Sequence, residues 1–168
     1  MNDAQFWSLI DSTRRGAEDD QEAHIEALTA ALAELPESEI FEFDRCFTEH
    51  WVRAYTWDLW AAAYIIGGGC SDDGFTDFRD WLISRGREVY DRALADPESL
   101  AAVVRDDDEC QIEGYEYAAK LAWARKTGKD HLDFPDSWTG TYPRVPSGER
   151  CTKEDYPRRF PKLWRKFG

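Results

Sequence analysis

The spacing of the apolar residues constrains the fold of this 168-residue chain more than any other feature. Ile25, Leu28, Leu32 and Leu35 recur at intervals of three and four, which places them on one face of an α-helix. The same spacing returns in most segments before residue 128, and no stretch alternates apolar and polar residues as a half-buried strand does. The sequence therefore predicts an all-α fold.

Capping residues, glycines and prolines divide this region into about six to seven helices. Asp3 is predicted to cap the first helix. The apolar pattern of residues 37–66 is long for one globular helix, so a break is expected near residues 55–57. The glycines at 67–69 end an apolar helix. Further helices are predicted at about 72–84, 87–94, 97–105 and 110–127.

The last forty residues have a different composition. Residues 129–168 hold five of the seven prolines and many aromatic residues. Residues 140–168 carry 8 Lys/Arg against 3 Asp/Glu, whereas the remaining 139 residues carry 13 against 31. We therefore expect a helical domain at 1–128 and, at 129–168, an irregular, basic segment, rich in aromatics and proline, that packs on the helical body.

Charge and cysteine usage exclude several classes of protein. The net charge of −13 repels phosphate backbones, so general nucleic-acid binding is not expected. No apolar run reaches the roughly 18 residues of a membrane span, and the acidic opening "MNDAQFWSLIDS" lacks the features of a signal peptide. Four widely spaced cysteines without a CxxC pair indicate reduced thiols rather than a zinc site. These features predict a cytoplasmic protein without membrane contact.

The stretch "GGGCSDD" is the most unusual motif. Ser71 is predicted to cap a helix whose first turn contains Asp72 and Asp73, where carboxylates are favoured by the exposed N–H groups. The C-cap of the preceding helix needs only one glycine, and this turn has three. In addition, Asp72 lies on the same helix face as Thr76 and Arg79. Two interpretations stay open: an architectural turn, or a site for a small polar ligand between Gly67 and Asp73. The candidate ligand-binding residues are Cys70, Ser71, Asp72, Asp73 and Arg79.

Two chemical alternatives at this motif are weaker. A thiol at a helix N-terminus can become a nucleophile, but no histidine is near Cys70 in the sequence, and a buried inert thiol is the more common outcome. On a helix, Glu109, Glu113 and Glu116 would share one face and could meet the Asp72–Asp73 turn in a carboxylate-rich metal site. The chain has no Glu-x-x-His pair, so neither a metal nor a cofactor is predicted.

The central block, from "LWAAAYIIGGGCSDD" to "FRDWLISRGREVY", resembles the bacterial domain-of-unknown-function family 4240. That family shows an apolar helix, a GGCSDD-like turn and then FxxFRxWLIxxGRxVY, and its opening is similar to "FWSLID". The similarity covers roughly residues 4–127 and implies no catalytic residue. The positions that match its pattern are Cys70, Ser71, Asp72, Asp73, Phe75, Phe78, Arg79, Trp81, Gly86 and Arg87.

Two functional hypotheses follow from these observations. The first is an interaction or regulatory module, with a protein partner or a second copy of the chain, because the charge is polarised and no complete catalytic set is present. The second is a small-ligand-binding protein or enzyme with its site at the Gly67–Asp73 turn. A binder of the toxin–antitoxin or immunity type also fits the acidic charge, although no residue selects it.

Overall fold

A computed structural model describes residues 1–17 and 20–168, and it confirms the all-α prediction. The described residues contain nine α-helices, more than the six to seven predicted, with short 3₁₀ helices between them. Outside the helices, the described residues form one isolated parallel bridge, between Thr56 and Ser147. The α-helices are α1 (Asp3–Ala17), α2 (Gln21–Ala33), α3 (Glu37–Arg53), α4 (Trp57–Ile66), α5 (Asp72–Ser84), α6 (Arg87–Ala95), α7 (Ala118–Thr127), α8 (Tyr156–Arg159) and α9 (Pro161–Phe167).

Local signals fix most of these boundaries. The predicted break at 55–57 is present, because Thr56 adopts an extended conformation and its hydroxyl accepts a bond from the amide of Leu59 at 3.1 Å. The cap of α1 is Asn2 and not Asp3: Asn2 and Gln5 each accept the other's backbone N–H, at 2.9 and 2.8 Å. This reciprocal pair satisfies two amides that the helix leaves open.

Two segments differ from the predicted helices. Residues 97–102 form a 3₁₀ helix instead of an α-helix. The predicted helix at 110–127 is wrong for its first part, because residues 110–114 are not helical and α7 begins only at Ala118. Gly114 has a φ of +83°, which interrupts a helix, and the amide of Ile112 donates to the carbonyl of Asp77 at 3.1 Å instead of to its own segment.

The chain divides into two compact units. The first unit comprises Met1–His50 and Glu113–Thr141, and α2 packs against α1 and α7 within it. Its core includes Phe6 and Phe43, whose rings are 5.0 Å apart. A buried histidine, His24, lies within hydrogen-bond distance of the hydroxyls of Thr13 (3.1 Å) and Tyr115 (3.2 Å). The boundary predicted at residue 128 falls inside this unit and stays a prediction.

The second unit comprises Trp51–Ile112 and Tyr142–Gly168. The prediction of an irregular C-terminal segment is correct for residues 134–152, but residues 153–159 and 161–167 are helical. Pro157 and Pro161 occupy first-turn positions in α8 and α9, where the missing N–H of proline costs nothing. Within this unit, α9 packs against α4 and against the 3₁₀ helix Pro97–Ala102.

Two charged side chains attach α9 to that 3₁₀ helix. The buried carboxylate of Glu98 accepts the backbone N–H groups of Lys162, at 2.8 and 3.0 Å, and of Leu163, at 3.0 Å. The ammonium group of Lys166 donates to the carbonyls of Ala101 (3.1 Å) and Val104 (2.6 Å). Each helix end therefore receives the charge that its unsatisfied backbone groups favour.

Candidate functional site

The glycine turn follows α4 in the second unit, and its geometry requires glycine at two positions. A Cβ atom on Gly67 would lie 3.0 Å from the carbonyl oxygen of Gly69, closer than carbon and oxygen normally approach. Gly68 has a φ of +65°, which side-chain-bearing residues adopt only at a cost. The repeated glycines therefore follow from the tightness of the turn itself.

Contacts on both sides hold the turn in place. The hydroxyl of Ser71 accepts the amide of Gly74 at 3.0 Å, which confirms the predicted cap of α5. The indole Nε1 of Trp60 donates to the carbonyl of Cys70 at 3.2 Å. Asp72 and Asp73 lie in the first turn of α5 and are exposed. The motif thus joins two helices, with its two aspartates facing solvent.

Cys70 has the environment of an unreactive thiol. Burial, followed by the negative charge of Asp72, raises its pKa to about 11. The Sγ atom lies 3.6 Å from the carbonyl of Ser71. Since the thiolate is the nucleophile, a pKa this high leaves almost none of the reactive form near neutral pH. The structure therefore favours the inert alternative for Cys70.

Arg79 lies in the core of the second unit rather than at its surface. Its side chain is 3% exposed, and the guanidinium carbon lies 3.3 Å from the centroid of the Trp51 ring. Its nitrogens donate to the carbonyls of Phe75 (3.2 Å) and Trp51 (3.3 Å) and to the hydroxyl of Thr76 (3.4 Å). The structure does not place Arg79 on an exposed polar face with Asp72, because its guanidinium group is enclosed by aromatic rings and backbone carbonyls.

The rings beside Arg79 form a stacked series. Trp57 stacks on Trp60 at 5.5 Å, Trp60 on Phe75 at 4.8 Å and Phe75 on Phe78 at 6.1 Å between ring centroids. These residues come from both sides of the glycine turn, so the turn lets α4 and α5 place their aromatic faces together. The guanidinium carbon of Arg79 lies 5.1 Å from the centroid of the Phe75 ring and adds a cation–π contact to this series.

A small pocket of about 190 Å³ lies beside the turn. Of the predicted motif, only Gly67 contributes to its lining, and Cys70, Ser71, Asp72, Asp73 and Arg79 do not. The other residues that line the pocket were not predicted from the sequence. Residues 108–111 lie beside the pocket because of long-range contacts, such as the hydrogen bond from the amide of Ile112 to the carbonyl of Asp77. The lining consists of Ala63, Ile66, Gly67, Phe78, Asp108, Glu109, Cys110 and Gln111.

The alternative of a carboxylate-rich metal site rested on a helix that does not form. Glu109, Glu113 and Glu116 do not share a helix face, because residues 110–114 are irregular and a 3₁₀ helix begins at Tyr115. Within residues 1–17 and 20–168, no three His, Cys, Asp or Glu side chains are grouped so that they could hold a metal ion. Binding of a ligand by the five candidate residues stays a prediction.

The chain matches a protein family but no curated protein and no solved structure. In the described part of the chain, no helix combines the length and apolar character needed to cross a membrane. A family model described as a protein of unknown function, DUF4240, matches residues 1–125. This match includes α1 to α6, the glycine turn and most of α7, and the chain therefore belongs to the DUF4240 family.

Proposed function

We propose that this chain is a protein-interaction module whose first unit binds a basic partner protein. The observation that supports this proposal is the distribution of charge between the two units. The first unit contains 18 Asp/Glu and 7 Lys/Arg, a net charge of −11, whereas the second contains 16 and 14, a net charge of −2. Nearly all of the excess negative charge thus belongs to one unit.

This excess cannot be neutralised by the basic residues of the first unit itself. Even if each of its 7 Lys/Arg side chains paired with one carboxylate, 11 would remain. Carboxylates in such excess repel one another, attract basic proteins over long distances and accelerate their association. A basic partner would relieve the repulsion, which is the reason for preferring a protein ligand over a nucleic acid.

The chemistry of the cysteines supports a reducing compartment, and we propose that the module acts in the cytoplasm. All four cysteines are free. Free cysteines are typical of proteins in compartments where glutathione and thioredoxin keep thiols reduced. The proposal would be contradicted by fractionation that finds the protein outside the cytoplasm.

Two charge-reversal variants test the proposed basic partner. Glu22→Lys with Glu34→Lys changes exposed positions of the first unit, and Asp106→Lys with Asp107→Lys changes the charge by the same amount in the second unit. A partner captured from a lysate is identified, purified and bound again to each variant at low and high salt. We expect the first variant to weaken binding by roughly tenfold and the second to change it little, because rim charges steer the encounter.

Three results would contradict the proposal. A purified partner that is neutral or acidic would not need the charge of the first unit. Equal losses of affinity for the partner in the two variants would show that binding depends only on the total charge of the chain. Binding that does not weaken at high salt would exclude an electrostatic contact, since salt screens exposed charges.

A small polar ligand at the glycine turn is the second candidate function. The observation that favours it is the 190 Å³ pocket beside Gly67, which is large enough for a compound of a few heavy atoms. We would screen small polar compounds for thermal stabilisation of the wild type, of a Glu109→Gln variant in the pocket wall and of the Asp72→Asn, Asp73→Asn double variant outside it. Loss of the stabilisation in a folded Glu109→Gln variant would support a ligand in the pocket, and loss only in the double variant would support a ligand at the exposed aspartates. No stabilisation of the wild type, together with a lower melting temperature in the double variant, would show that the turn is architectural.

A further inference from the structure

The first unit contains a groove of about 470 Å³ along α1, which we call the α1 groove. Its α1 wall presents Ala4, Ser8 and Ser12, which follow one another at intervals of four and are exposed. Small side chains at this spacing leave a shallow channel along the helix, in which another helix could approach closely. The lining consists of Met1, Asn2, Ala4, Gln5, Ser8, Leu9, Ser12, Leu35 and Glu39.

The floor and the rim of the α1 groove differ in chemistry. Leu9 and Leu35 are half-buried and supply apolar surface. The opposite wall is formed by Leu35 and Glu39, and the segment 34–42 around them contains four glutamates and no basic residue. Met1 also lines the groove, and its positively charged amino group lies 3.9 Å from the carboxylate of Glu42 and offsets that charge. No Lys or Arg side chain lines the groove. An apolar floor with an acidic rim complements a surface that is apolar in the middle and basic at its edges.

Two of the four glutamates already have partners within the unit. Glu42 binds the guanidinium of Arg45 at 2.8 Å, and Glu37 accepts the indole N–H of Trp123 at 3.0 Å. Glu34 is exposed and Glu39 is half-buried in the groove lining. The negative potential at the rim therefore comes mainly from Glu39, which lines the groove, and from the exposed Glu34 in the same segment.

We infer that the α1 groove binds a basic amphipathic helix of a partner protein; this inference rests on the proposed function and names the binding site. The α1 wall runs from Met1 to Ser12, about 16 Å at 1.5 Å per residue, which corresponds to about three helical turns. Apolar side chains of the bound helix contact Leu9 and Leu35, and its flanking Lys or Arg side chains face Glu39. This arrangement is the helix-in-groove mode of recognition.

A fluorescent peptide of Leu and Lys, with the leucines on one helical face, is the probe for the full chain. At about 14 residues it is long enough to form a helix on binding, and a scrambled peptide of the same composition is its control. Ser8→Trp and Ser12→Trp place a bulky ring in the α1 groove, whereas Ala23→Trp places the same ring at an exposed position of α2 outside it. Anisotropy titrations measure each affinity, and circular dichroism verifies that each variant folds.

We expect the amphipathic peptide to bind the wild type. Each of the two groove variants should lower the affinity for this peptide by about tenfold, and Ala23→Trp should change the affinity by less than about twofold. Unchanged binding in two folded groove variants would overturn the inference. Equal affinity for the scrambled peptide would also overturn it while leaving the proposed function intact, because net charge alone would then explain binding. If neither peptide binds, both proposals fail. Concentration-dependent self-association that Ser8→Trp abolishes would assign the groove to a second copy and also overturn the inference.

Discussion

Replacing Arg79 by methionine is expected to lower the free energy of unfolding by about 3 kcal/mol, because the guanidinium group loses a desolvated cation–π contact and charged hydrogen bonds together. Its contacts are the ring of Trp51 and the carbonyls of Trp51 and Phe75. The Trp51 carbonyl lies in the last turn of α3, where helix carbonyls lack an intrahelical partner and favour a cation. Chemical denaturation followed by tryptophan fluorescence and circular dichroism measures the loss.

Two further variants separate the role of Arg79 from a general effect of charge. Arg92→Met removes the same charge from α6, where the side chain is 56% exposed beside Glu88, and we expect a change within about 0.5 kcal/mol. Arg79→Lys keeps the charge but loses the planar group that stacks on Trp51, so it should be destabilised by an intermediate amount. If Arg79→Met and Arg92→Met unfold at the same denaturant concentration, Arg79 does not anchor the core.

Replacing Glu98 by alanine is expected to release α9 from the rest of the second unit. The carboxylate accepts the N–H groups of Lys162 and Leu163, and removing it leaves these amides without their acceptor. Losing hydrogen bonds to a charged group costs about 2 kcal/mol. Amide hydrogen exchange in residues 162–167 should therefore accelerate, by about thirtyfold if the whole loss appears as local opening.

The matched control for Glu98 is Glu88→Ala, since that side chain is 85% exposed in α6. It should leave exchange in α9 unchanged. Glu98→Gln retains one carbonyl oxygen as acceptor without the negative charge, and we expect an intermediate rate. Unchanged exchange of the α9 amides in Glu98→Ala would show that apolar contacts, such as those of the buried Leu163, hold the helix without the carboxylate.

The helix that follows the glycine turn was predictable from sequence because its signals are local. The predicted limits of 72–84 match α5, Asp72–Ser84, since Ser71 caps the helix through an amide only three residues away and the apolar stripe repeats at helical intervals. The break before Trp57 was predictable for a similar reason, because Thr56 caps α4 through the amide of Leu59. Signals of this kind act within one helical turn.

The environment of Arg79 was only partly predictable. It follows Phe75 by four residues and precedes Leu82 by three, so its spacing already put it on the buried stripe of α5. The same spacing also put it on one face with Asp72, and a guanidinium group is usually solvated. The ring of Trp51, 28 positions earlier, is what makes burial of this cation favourable, and no local pattern encodes that contact.

The sequence by itself determined the all-α class, the cap and limits of α5, the break before α4 and the excess of negative charge, because these depend on neighbouring residues or on composition. Tertiary structure alone decided that Arg79 is enclosed by aromatic rings, that Glu98 caps a helix 64 positions away and that the amide of Ile112 donates to Asp77 of α5, in a segment that forms no helix. Each of these outcomes depends on burial and hydrogen bonds between distant segments, whose free energy exceeds the local helix preference of any single residue.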